Sequence, residues 1–115
     1  MTRIRTASLV VIMVAAFVSE AAALSFKDIA GRWCGLSSNY TFARDSLTVT
    51  FQDATPTRHF KVTSYELLPH TIKMHWLDSK GEKLFTEFGE FAPNGQSMAQ
   101  QKNDVGPRRP FNRCK

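Results

Sequence analysis

Leu47-Thr48-Val49-Thr50-Phe51 alternates without a break: Leu47, Val49 and Phe51 fall on one side of an extended chain, Thr48 and Thr50 on the other. Successive strand side chains point to opposite faces, so the run reads as a strand with one buried and one wetted face, the kind antiparallel sheets use. Toward the N-terminus, Arg44-Asp45-Ser46 breaks the pattern and Tyr40-Thr41-Phe42-Ala43 resumes it. Leu36-Ser37-Ser38-Asn39 is turn-like, and Arg32-Trp33-Cys34 begins the first strand. Before it, Ser25 can cap a short helical turn in which Phe26 and Ile29 share a face, with Gly31 as its end.

Toward the C-terminus, Pro56 sits in the connection Asp53-Ala54-Thr55-Pro56-Thr57 and bars a central strand there. The next strand, residues 59–68, places Phe60 and Val62 on one face and then changes phase so that Tyr65 and Leu67 take over, which predicts a bulge near Ser64. After the turn at Pro69-His70, Ile72, Met74 and Trp76 alternate inward against Lys73 and His75. Asp78-Ser79-Lys80-Gly81 and Asn94-Gly95 are hairpin signals on either side of the strand at residues 84–91. Residues 96–102 form a last strand with Met98 as its one large apolar side chain, and residues 105–115 carry two prolines, one glycine and no period, which predicts an irregular tail. The expected fold is all-β: an antiparallel meander of about seven strands joined by short turns, closing into a small barrel or flattened barrel because open edges invite aggregation.

Residues 1–23 read as a cleaved signal peptide: Arg3 and Arg5 precede an apolar run at residues 9–18, and Ala21-Ala22-Ala23 supplies a small-residue cleavage site. The rival reading, a membrane anchor, meets a run about half the roughly 20 residues that span a bilayer. The expected divisions are a barrel domain at residues 24–101 and a basic tail at residues 102–115, with periplasmic or secreted localisation and no transmembrane segment after cleavage. The 92 residues from Leu24 to Lys115 make a domain of marginal stability. Export would allow Cys34 and Cys114, the only cysteines, to form the one intramolecular disulfide available and tie the tail back. Two separate thiols are the alternative.

Ile29-Ala30-Gly31-Arg32-Trp33, a helical turn running into Gly-x-Trp on the first strand of a meander, resembles the opening motif of calycin-like barrels, the group of lipocalins, avidins and small periplasmic protease inhibitors. The overall plan also looks like that of small exported bacterial proteins. The resemblance implies that Trp33 plugs one barrel end and that a basic residue from the end of the chain lies across it. Arg113, beside Cys114, is then the expected cover, through a cation–π contact.

Residues 24–101 hold eight Lys/Arg against eight Asp/Glu, whereas residues 102–115 hold five cations against Asp104 alone. Arg108, Arg109 and Lys115 are therefore the residues expected to meet an anionic surface or a protein partner, a solvated tail being the other reading. His59, His70 and His75 show no metal-ligand spacing, both cysteines are committed to the staple, and Glu87 and Glu90 face opposite sides of a regular strand. No enzyme activity, metal or cofactor is expected. An exported location and the lack of interleaved aromatic and basic residues argue against nucleic acid.

The expected function is an exported binding module for a small apolar ligand or a cell-envelope component. A protein-interaction, inhibitory or structural envelope role through the surface and the basic tail is the alternative, and a monomer is expected in either case. Eight-stranded barrels hold one small ligand or are filled by side chains, and the many rings here leave both outcomes open. Tyr65, Phe85 and Phe91 fall out of phase with the inward set; they are expected to line an apolar partner patch or a second small core beneath Phe111.

Overall fold

The computed structural model describes residues 22–103 and 108–115; the expected signal peptide at residues 1–23 lies almost wholly outside them. Eight antiparallel strands form a closed barrel in sequence order. They are β1 (Gly31–Cys34), β2 (Ser38–Phe42), β3 (Ser46–Phe51), β4 (Arg58–Leu67), β5 (Thr71–Leu77), β6 (Lys83–Gly89), β7 (Ser97–Asn103) and β8 (Arg109–Arg113). A single 3-10 turn, Phe26–Asp28, precedes them. Its start is held by the Asp28 carboxylate, which accepts hydrogen bonds from the Ser25 backbone N–H at 2.7 Å and the Ser25 hydroxyl at 3.1 Å. At Gly31 the backbone takes φ +93°, a region glycine enters without steric cost, and the chain turns there into β1.

The strand count exceeds the expected seven by one, because the tail read as irregular contains β8. Pro110, which has no N–H to give a ladder, stands opposite Ala99 on β7 and is exposed. β8 pairs with β7 over four residues and with β1 over two, Trp33 opposite Arg113 and Cys34 opposite Asn112. This short β1–β8 ladder is the seam of the barrel. Cys34 and Cys114 are joined across it by a disulfide, with their Cα atoms 5.1 Å apart.

The expected bulge is present, with a register shift between Val62 and Ser64 against β5. It leaves Tyr65 opposite Met74, packed against the core, and Leu67 opposite Ile72, where at the strand end it stays exposed. A second shift, between Glu87 and Phe88 against β7, places Gln101 as the extra residue. The interior is built from the inward faces: Trp33, Phe42, Leu47, Val49, Val62, Ile72, Met74, Phe88, Met98 and Phe111 are buried, together with Ile29 from the turn. Packing is tight at the seam, where a Cβ on Gly35 would stand 2.7 Å from the Phe111 ring and 2.8 Å from the Ser38 carbonyl oxygen. Gly35 is therefore the residue that lets β1 leave the barrel alongside β8.

Candidate functional site

The two barrel ends differ in chemistry. At one end meet the start of β1, the end of β8 and the start of β7, with the 3-10 turn across them. Trp33 is fully buried there, and its indole N–H donates to the Ile29 carbonyl at 2.8 Å. The Arg113 guanidinium lies 3.9 Å from the centre of the indole and donates to the carbonyl oxygens of Ala30, Asp28 and Gly95. Burial lowers the Arg113 pKa from its usual value, with the nearby Asp28 charge acting in the opposite sense. Phe91 closes the remaining side, edge-on to Trp33 with ring centres 6.4 Å apart. The buried indole, its guanidinium cover and the Phe91 ring together plug this end of the barrel.

Moving along β7 from Ser97 toward Asn103 leads away from the plug. Here the interior contains a cavity of about 160 Å3. Its walls include Leu47, Val49, Phe60, Met74, Trp76 and Phe88. Polar groups enter at few points. The Trp76 indole N–H donates to the Thr86 hydroxyl at 3.0 Å. Tyr40 also lines the space; burial raises the pKa of its phenol, and the charge of Arg109 acts the other way. Gln100, 2% exposed, borders the cavity, and its side-chain carbonyl oxygen has no hydrogen-bond partner among the described residues. A buried amide oxygen without a partner costs about 1–3 kcal/mol, which sets Gln100 apart from the rest of the wall.

The residues singled out in the sequence separate in space. Cys34, Cys114, Trp33 and Arg113 form the closure just described. The three cations of the expected anion site do not act together: Arg108 pairs with Glu90, Arg109 shares the alternate face of β8 with Phe111 and acts on Tyr40, and Lys115 is exposed past the end of β8. The apolar patch expected from Tyr65, Phe85 and Phe91 is not formed. The β4 bulge turns Tyr65 inward, where its ring meets Phe26 at 5.1 Å and its hydroxyl donates to the Ala43 carbonyl at 2.7 Å. Burial and the Asp45 charge push the Tyr65 pKa up to about 12. Phe91 belongs to the plug. Phe85 stands outside, with the ammonium groups of Lys73 and Lys102 at 5.0 and 5.8 Å from its ring centre. Nor does Phe111 cover these three residues, for its ring packs against Tyr40 at 4.7 Å.

His59 is within hydrogen-bonding distance of Thr48 (3.2 Å) and His75 of Glu66 (3.4 Å), both on the outer surface. Among the described residues no three His, Cys, Asp or Glu side chains converge to hold a metal, and no helix is long and apolar enough to cross a membrane. Gln100, Thr86 and Tyr40 were not singled out in the sequence. The signal for Gln100 was nonetheless present: it lies two positions beyond Met98, hence on the same face of β7. No family model, curated protein or solved structure matches the chain.

Proposed function

We propose that the protein is an exported binding module that holds a small apolar ligand in the unplugged half of a calycin-like barrel. The observation that carries this reading is the cavity of about 160 Å3, walled by aliphatic and aromatic side chains with a few polar groups converging on it. Its size is on the scale of a single ring, since an apolar cavity of about 150 Å3 binds benzene. The sealed end supports the same reading, because it confines access to the other end and supplies the rigid frame a preformed site needs. Trp33 under Arg113 is the arrangement the calycin resemblance implies. The Cys34–Cys114 bond suits an oxidising compartment and so supports export.

The test is native mass spectrometry of the protein isolated from its own host, alongside Val49→Phe, which adds a ring to the cavity wall. A bound small molecule on the wild type that is absent from Val49→Phe is the expected result. A wild type that carries nothing, and that also fails to take up single-ring compounds added at millimolar concentration, overturns the reading.

A further inference from the structure

On the reading of the cavity as a ligand site, we propose that it selects a neutral, ring-sized molecule carrying one hydrogen-bond donor, a phenol or indole type of ligand, whose O–H or N–H is received by the side-chain oxygen of Gln100. Three observations converge on this class. Gln100 is held by its backbone between Phe88 on β6 and Arg109 on β8, so the strand register directs its side chain to the same interior as Met98. Its amide oxygen is the one buried acceptor at the cavity wall without a partner among the described residues. The neighbouring indole donor cannot serve it, because the Trp76 N–H is committed to Thr86.

Charge and shape complete the class. No carboxylate, ammonium or guanidinium is among the groups lining the cavity. An ionised ligand group would lose its hydration there without a counter-charge, so the ring enters uncharged. Gln100 shares the wall with three other polar side chains, Tyr40, Thr86 and Asn103, of which Thr86 is bonded to Trp76, and the remainder is hydrocarbon, sulfur and aromatic surface, which suits a ring better than a sugar or a peptide. A site with a buried acceptor discriminates strongly against an analogue that lacks the donor, since that analogue leaves the acceptor unpaired. Toluene and phenol, close in shape, differ in this property, and pyridine supplies an acceptor with no donor.

The experiment is a titration of the full oxidised chain with phenol, toluene and pyridine, followed by calorimetry and by two-dimensional 1H–15N NMR that includes side-chain amides. Phenol is expected to bind at least about tenfold tighter than toluene, to exceed pyridine by more, and to shift the Gln100 side-chain NH2 pair. In Gln100→Met, which replaces the amide by an apolar chain of similar length, the phenol preference should vanish or reverse. Equal binding of phenol and toluene, tighter binding of pyridine, or a preference unchanged in Gln100→Met overturns the donor selection while leaving the cavity a ligand site. If none of the three shifts any resonance of Leu47, Val49, Met74 or Gln100, both the selection and the ligand-site reading fall. Should Gln100→Met not fold, the wild-type amide decides: a shift with phenol and none with toluene supports the proposal, and the same response to both overturns it.

Discussion

Breaking the disulfide is the sharpest test of how this barrel stays closed. Cys34 and Cys114 lie 80 positions apart. Releasing a loop of that length returns to the unfolded chain an entropy worth about 4.5 kcal/mol at 25 °C. The total stability of a domain this size is about 5–14 kcal/mol, so the loss takes a third or more of it. The structure gives a reason to expect the full effect, because the seam has little else in its ladder: β1 meets β8 at two residue pairs, against seven between β5 and β6. Cys34→Ser, Cys34→Ser with Cys114→Ser, and reduced wild type should therefore behave alike. In urea, with a slope of about 1–3 kcal/mol per molar, each should move the unfolding midpoint down by roughly 2–4 M relative to the oxidised protein.

Hydrogen exchange locates the damage. Amides of β1 and β8 should lose protection first and those of β5 and β6 last, since the seam opens before the long ladders do. A midpoint that does not respond to reductant, or a double variant far more stable than the single one, would refute the view of the bond as the main lock on the seam. A uniform loss of protection over all eight strands would show instead that the bond acts only on the unfolded chain.

Two other predictions concern Arg113 and the two tyrosines. Arg113→Met removes the cation–π contact and the hydrogen bonds to three carbonyls, and should cost about 2 kcal/mol in urea unfolding; Arg113→Lys should recover less than half, because an ammonium cannot reproduce the planar fork that reaches Ala30, Asp28 and Gly95 together. Both tyrosines have folded-state pKa values raised above the unfolded value near 10, Tyr65 to about 12. Their contribution is thus intact below about pH 10 and is lost as pH climbs toward 12. Ultraviolet titration of the folded protein should show no phenol ionising at the ordinary pH. Tyr65→Phe should flatten the alkaline loss of stability while costing about 1 kcal/mol at neutral pH for the bond to Ala43.

Most of the meander was legible because its strands bury one face each. Leu47, Val49 and Phe51 announce β3, and Ile72, Met74 and Trp76 announce β5, by period alone; the change of phase after Val62 even located the β4 bulge. β8 was not legible for the opposite reason. Phe111 is its one buried residue, flanked by the exposed Arg109 and Pro110 and followed by the half-buried Arg113, so no alternation of apolar side chains marks the strand. A cation is tolerated at position 113 because Arg113 finds an indole and three carbonyls. That compensation is not visible in a chain read locally, since Trp33 is 80 residues from Arg113. The phase change also put Tyr65 on the apolar face, and Phe85 does stand outside; what phase could not show is that Phe26 and Ala43 engage Tyr65 and that the chain beyond Glu90 folds back onto Trp33, so that the three rings part.

The contrast between the two ends bears on function as well as on folding. At the plug the Trp33 indole N–H and the Arg113 guanidinium find acceptors and Phe91 packs on the indole, as suits a closure. At the other end a domain of marginal size leaves a cavity, and the Gln100 amide oxygen at its border has no partner among the described residues. Folding alone does not ask for an amide at position 100: Met98, on the same face of the same strand, shows that the interior accepts a flexible apolar chain. Local rules are broken in native proteins chiefly where a site needs them broken. On the proposed reading the two belong together, because a donor brought in by a ring-shaped ligand would pair the oxygen while the ring fills the cavity that Gln100 borders.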